Sequence, residues 1–356
     1  MTAATDILIG VDALQRILVR LFVATGMSNP DAAFCAAALV QSDLWGIESH
    51  GVLRAPIYLK RLRSRAVNPT PTIRVTTGAG ALEVLDGDAG MGFVVARAAM
   101  QRAIALARQF NVSAVGVTNS NHFGAAGLYA RMAAEEGMVG IVVTNVGPNL
   151  VASGGSRPIT GNNPLAISIP TFAAFPFTLD ISLSNVAGGK LLVAIEKGQK
   201  IPFDWGTDKE GRPTDDPERA FAGFLLPLGG HKGLGLSYAI DILSGLITGG
   251  AFQFGVTSMY KRTSEPSRTG HFMIVINPLA LMSREDLKER MAAFCETVKS
   301  SPMWDDRQEM LLPGEIEFRT EQARRAAGLR LPSHLCGELA DLAREMDVPI
   351  EFPGPQ

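Results

Sequence analysis

Hydrophobic positions recur at helical spacing from the start of the chain, where Leu14, Ile17, Leu18 and Leu21 form one stripe. This reads as an amphipathic first helix, the pattern including Asp6, Asp12 and Arg16. Ser28, a natural cap, precedes Pro30 and an alanine-rich run, predicting a second helix that stops at Gly46. From about Ile73 the period shortens. β-Branched runs at 73–77 and 81–85 predict strands, followed by a helix over 91–110, a strand over 112–117, a helix from about Ala125 and a strand over 139–144. Strands are expected again at 165–169, 177–181 and 272–276. Between them lie a polar Gly/Asp/Pro-rich stretch at 206–217 and a strong helix after Lys232, and further helices are expected at 284–299 and 333–346. The alternation defines an α/β fold in which a helical part, 1–72, packs with a second helical part, 280–356, around an α/β region, 73–279.

Composition narrows the function classes. The 356 residues are 46% hydrophobic, enough for a sizeable core, and 33 basic side chains balance 35 acidic ones. A formal charge of −2 without a block of like charge offers no electrostatic grip on nucleic acid or an anionic membrane. The uncharged stretches 137–156 and 242–260 approach membrane length, but Gly with Asn, Pro, Ser, Thr or Gln interrupts both, so they read as buried strand–loop and helix–loop segments. The N-terminus lacks the basic start and clean apolar run of a secretory signal. Cys35, Cys295 and Cys336 are odd in number and widely spaced, which predicts reduced core thiols in a cytoplasmic protein and no metal site.

The five histidines, His50, His122, His231, His271 and His334, show no zinc-protease spacing, and no G-x-S-x-G elbow is present. Gly90-Met91-Gly92 and Gly233-Leu234-Gly235 both lack the third glycine of a dinucleotide fingerprint, and Gly229-Gly230-His231-Lys232 does not fit a Walker loop. Four clusters remain. Glu48-Ser49-His50-Gly51 with Arg54 joins a proton-transfer group to a carboxylate fork, against the blander reading of a helix cap and a surface arginine. Asn119 to Gly124 spans a strand-to-helix turn able to offer backbone N–H groups to an anion, or is an ordinary polar connection. Thr160 to Pro164 leads into Asp180, Ser182, Ser184 and Lys190. Gly230-His231-Lys232-Gly233 heads a helix, where Lys232 can meet a phosphate.

Taken in order, Ser49-His50-Gly51 with Arg54, Asn121-His122-Phe123-Gly124, Gly161 to Pro164, His231-Lys232-Gly233 and Leu312-Pro313-Gly314-Glu315 resemble the malate/L-lactate dehydrogenase-like family across nearly the whole chain. The resemblance implies a non-Rossmann NAD(P)-binding fold of the sulfolactate dehydrogenase type, a cofactor that is NAD or NADP, a small carboxylate substrate, and a homodimer, formed through 73–279, whose active sites are shared. It implies that His50 moves the proton, oriented by Ser49 and accompanied by Lys190, with His122 the next candidate. Arg54, Asn162, Leu183 and Ser184 would bind substrate, and His122, Phe123, Gly124, Ala125, Ala126, Asp180, Ile181, Ser182, His231, Lys232, Pro313 and Gly314 would line the cofactor. Asn162 departs from a Thr common among relatives, and the segment 180–184 departs from Asp-Met-Ala-Thr-Ser, so the substrate pocket is altered. Lys190 stands where the imine-reducing relative has Asp, which ranks 2-hydroxy-acid oxidoreduction above cyclic imine reduction. A non-catalytic binding protein on the same fold is the third reading.

Overall fold

The computed structural model describes residues 6–354. The chain opens with strand β1 (Ile7–Ile9) and helices α1 (Val11–Ala24), α2 (Asn29–Leu44) and α3 (Ala55–Arg63). Next come β2 (Arg74–Ala79), β3 (Leu82–Asp86), α4 (Gly92–Phe110), β4 (Val112–Ser120), α5 (Gly127–Glu135), β5 (Val139–Thr144), β6 (Leu165–Ile169) and β7 (Phe177–Ile181). A smaller segment holds α6 (Gly188–Glu196), β8 (Gly206–Thr207), α7 (Pro217–Ala222) and β9 (Phe224–Leu225). The chain then continues through α8 (His231–Asp241), β10 (Thr269–Ile276), α9 (Arg284–Lys299), α10 (Glu315–Ala327), β11 (Leu329–Leu331) and α11 (Ser333–Glu345).

The local reasons are visible at the helix ends. Ser28 caps α2 by accepting the Asp31 N–H with Pro30 in the first turn, and Ser283 caps α9 in the same way at Asp286. Gly46, at a φ of 80°, carries the chain out of α2 through the left-handed region. The start of the first helix differs from its expected position. Residues 7–9 form β1, which pairs antiparallel with β11, because Ile7 and Ile9 alternate inward at a strand's period and α1 begins only at Val11. Residues 1–5 of the expected N-terminal part lie outside the described residues. The polar stretch 206–217 opens with β8, which pairs with β9 beyond α7, and ends at α7, where Asp216 caps a Pro217 start.

Seven strands form one sheet in the order β2-β3-β4-β10-β5-β6-β7. Only β3 and β4 run parallel; every other pairing is antiparallel. β10 arrives from far along the chain to fill the gap between β4 and β5, which no doubly wound parallel sheet does. Its Met273 and Val275 meet Val115 and Val117 of β4 beneath α4 and α5 in one apolar core. A second core joins α1, α2 and α3 to Leu335, Leu339 and Leu342 of α11. Among the described residues no helix is long and apolar enough to cross a membrane. Cys35 and Cys336 are buried free thiols, whereas Cys295 is half-exposed, a correction to its expected place in the core: α9 buries none of its residues in the single chain.

Candidate active site

The segment after α2 is too short and too broken to continue as a helix. It folds into two 3-10 turns, Glu48–His50 and Val52–Arg54, and Pro56 begins α3. His50 and Arg54 therefore share no helical face, yet the turns bring them together. Arg54 Nε donates to the Ser49 carbonyl at 2.7 Å, and Ser49 Oγ meets His50 Nδ1 at 2.9 Å. Ser49 Oγ is thus bonded to the imidazole rather than capping a helix. Among the described residues no carboxylate pairs with Arg54, and its guanidinium lies 5.2 Å from the centre of the Tyr260 ring. The fork is held by one nitrogen, and its terminal nitrogens remain for a ligand.

His122 approaches from the loop after β4. Its ring stacks on His50 with centroids 5.6 Å apart, and its Nδ1 receives the Tyr58 hydroxyl at 2.6 Å and the Gly124 N–H at 3.3 Å. A nitrogen accepting a backbone N–H carries no proton, so neutral His122 keeps its hydrogen on Nε2. Burial lowers both imidazoles, His50 to about 4 with Arg54 adding to the effect, and His122 well below its usual range with His50 and Arg54 adding. Both rings are neutral near pH 7.

The supporting layer is built by close approach. A Cβ on Gly92 would lie 2.3 Å from the carbonyl oxygens of Asn121 and His122, so this glycine lets α4 press on the loop and serves no phosphate. Buried Asn121 receives Arg61 and the Ser267 N–H on its oxygen and donates to the carbonyls of Ala89 and Gly90. Phe123 is buried and stacks at 4.5 Å on His271, whose two ring nitrogens meet Ser120 and Thr144 hydroxyls. The helix after this turn starts later than expected. Asn121 is a cross-link, Ala125 and Ala126 are buried, and α5 begins only at Gly127, whose N–H already serves Asp180 Oδ2 at 2.7 Å.

The remaining expected residues fall into separate groups. Asn162 accepts the Leu183 N–H on its backbone carbonyl at 3.0 Å and bonds Asn149 through its side chain; Ser182 and Ser184 hydroxyls are 3.1 Å apart. Ile181 pairs with Leu165 at the sheet edge. Asp180 faces Gly314 across a narrow cleft of about 30 Å³ that Trp45, Arg131, Thr178 and Glu317 also line, and Pro313 is tied to β7 by the Thr178 N–H at 3.0 Å. Burial raises Asp180 to about 6, with Glu317 adding to it and the Gly127 N–H opposing it. His231 and Lys232 are exposed at the start of α8. Lys190 is exposed on α6, and a Cβ on its neighbour Gly189 would stand 4.0 Å from Ser49 Cβ. A larger hollow along the outer face of α1 is lined by that helix alone and holds none of these residues. Sequence reasoning missed Tyr58, Tyr260 and Asp43. The i+4 spacing of Tyr58 from Arg54 was a usable signal, and a charge at position 43 inside an alanine-rich helix was another.

The fold and this constellation define an oxidoreductase class. The malate/L-lactate dehydrogenase family profile matches residues 9–340, and the chain belongs to that family. It is 36% identical over 340 residues to the L-sulfolactate dehydrogenase of Methanocaldococcus jannaschii, covering 95% of this chain and 96% of that one. The solved structure of that enzyme superposes with a TM-score of 0.89 at 35% identity, covering 96% and 98% of the two chains. The malate dehydrogenase of Pyrococcus abyssi is 39% identical over 346 residues, 95% of this chain and 94% of that one. The delta1-piperideine-2-carboxylate reductase of Pseudomonas syringae pvar. tomato superposes with a TM-score of 0.84 at 28% identity, covering 94% and 99%. Two further relatives carry a cofactor in their names. They are the (2R)-3-sulfolactate dehydrogenase (NADP(+)) of Chromohalobacter salexigens, 35% identical over 76% of this chain and 81% of that one, and the ureidoglycolate dehydrogenase (NAD(+)) of Escherichia coli strain K12, 34% identical over 79% and 80%. The fold is thus the non-Rossmann α/β fold of sulfolactate dehydrogenase.

Proposed function

We propose that the chain interconverts a small 2-hydroxy acid and its 2-keto acid with NAD or NADP, His50 exchanging the proton and Arg54 holding the carboxylate. One observation carries this reading: an unpaired guanidinium and a neutral imidazole are fixed to the same residue, Ser49, beside a second imidazole. Arg54 depresses the proton affinity of His50. A carboxylate bound on Arg54 neutralises that influence, so substrate binding readies His50 to take the hydroxyl proton. His122, locked by Tyr58 with Nε2–H outward, offers a hydrogen bond to the substrate oxygen. Lys190 accompanies His50 and Ser49 in the proton transfer, and Asn162, Leu183 and Ser184 shape the substrate side.

The residues around this narrow cleft have the chemistry to meet a ribose at one end of a dinucleotide. Asp180 supplies an acceptor for ribose hydroxyls, Arg131 has a buried Nε without a partner, and Gly314 packs so closely on Pro176 and Thr178 that a Cβ would meet them at 3.0 and 3.2 Å, leaving a smooth wall. Asp180, Ile181, Ser182, Pro313 and Gly314 would hold one end and His122 to Ala126 the other, with Lys232 giving charge and His231 a hydrogen bond to the diphosphate. The bound nicotinamide supplies the hydride donor or acceptor.

The chain is also taken as a cytoplasmic homodimer, with 1–72 and 280–356 grouped around a cofactor-binding and dimerisation region, 73–279. Supporting the homodimer, Leu236, Ile242, Leu246, Ile247, Phe252 and Phe254 are all exposed along α8 and the segment after it, leading to Tyr260 beside Arg54. Sedimentation gives the oligomeric state; a monomer removes this part of the reading.

Nicotinamide absorbance followed with a panel of 2-keto acids, and with piperideine- and pyrroline-2-carboxylate, tests the reaction. Arg54→Ala should raise KM about tenfold or more, and His50→Ala should lower kcat by about 10²-fold or more. Turnover of cyclic imines alone, or His50→Ala at wild-type kcat, refutes the assignment. Cofactor binding without turnover on any member of the panel leaves a binding protein.

A further inference from the structure

Asp43 lies in the last turn of α2 and is 4% exposed. Its Oδ2 accepts the Val52 N–H at 3.0 Å, and Gly51 sits so close that a Cβ there would be 1.8 Å from Oδ1. Gly51 and Val52 are two of the three residues between His50 and Arg54. The turns themselves are closed by short backbone bonds, His50 N–H to Ile47 and Arg54 N–H to Gly51, which shape each turn but do not fix it to the helix beneath. Arg324 of α10 reinforces the anchor, donating to the Asp43 carbonyl at 2.5 Å and to Glu48 at 2.7 Å.

We propose that Asp43 is the positioning residue that sets the separation of His50 and Arg54 by seating Gly51 and Val52 on the end of α2. The proposal rests on the reading of His50 and Arg54 given above. A carboxylate is a poor choice for stability alone at this position. Burial, with Glu48 of the turn adding to it, raises Asp43 to about 7, while the Val52 N–H and Arg324 of α10 oppose the rise. Because the folded value lies above the unfolded one, its ionisation costs stability as pH rises through about 7. The ionised form is the stronger acceptor for Val52, so a helix end that tolerates this cost holds the turn best above neutrality.

The test compares wild type, D43N, D43A and H50A for kcat and KM between pH 5.5 and 9, together with NADH affinity by fluorescence and melting at pH 8. D43A should lose about 30-fold or more in kcat while binding NADH within about twofold of wild type. D43N, whose amide oxygen still accepts the Val52 N–H, should stay within about threefold at pH 8, lose the acid limb near pH 7 and melt higher than wild type. D43A within about threefold of wild type overturns the proposal. So does a D43A that loses NADH affinity, kcat and melting temperature together with D43N no better, since that marks a purely structural carboxylate. If H50A is fully active, the site reading fails instead; if H50A is dead and D43A active, only the positioning proposal fails.

Discussion

Gly51→Ala puts the arrangement of the site under direct strain. The Gly51 backbone, at φ −88°, is open to any L residue, so only the space matters. The new Cβ would stand 1.8 Å from Asp43 Oδ1, whereas ordinary contacts begin at 3.4 Å, so 3.4 − 1.8 leaves 1.6 Å to be found by movement. If the carboxylate rotates away, Val52 loses a buried acceptor, which costs about 1–3 kcal/mol. If the turn moves instead, His50 and Arg54 shift by more than 1 Å, and misplacement on that scale costs about 10²-fold in rate. Either route lowers kcat/KM by about 10- to 10²-fold and melting by a few degrees in a chain of this size. Because truncating Asp43 makes room for the methyl, the Gly51→Ala/Asp43→Ala double variant should fall short of the summed effects by about 1 kcal/mol or more. Steady-state kinetics and melting curves on the four proteins complete the cycle. Wild-type kcat/KM and melting temperature in Gly51→Ala would show that the approach of Gly51 to Asp43 holds nothing in place.

Two further outcomes check the surrounding layer. Tyr58→Phe deletes the 2.6 Å bond to His122 Nδ1 and should lower kcat about tenfold with NADH affinity unchanged; an unaltered kcat would remove His122 from the reaction. His271 is fully buried and burial lowers it to about 3, so it folds as the neutral ring. Protons bind the unfolded form first, and the stability contributed by this depressed value is complete above about pH 6.5 and is lost as pH falls toward 3. A melting temperature that does not fall between pH 6.5 and 4, or a His271→Gln variant with the same acid slope as wild type, counts against this account.

Much of the architecture was written locally. The stripe Leu14-Ile17-Leu18-Leu21, the Ser28–Pro30 cap and the strands at 139–144 and 165–169 depend on residues close in sequence, and the structure follows them closely. The missing third glycines also kept their meaning: Gly92 and Gly233 serve close packing, against the 121–122 carbonyls and the Leu228 carbonyl. The order of the sheet was not local. β10 enters between strands more than a hundred residues earlier because the apolar faces of β4 and β5 need a partner between them, and chain distance says nothing of which strand supplies it. The same holds for the site. Residue types at 49, 50, 54 and 122 announced proton transfer and carboxylate binding, but their convergence depends on two 3-10 turns, on Tyr58 from a later helix and on a carboxylate at 43 buried beneath Gly51. Local sequence settles most of the elements, with β1 an exception because its partner β11 lies far along the chain. Only long-range packing, by deciding which side chains lose water together, determines that an arginine is left unpaired and a histidine neutral beside it.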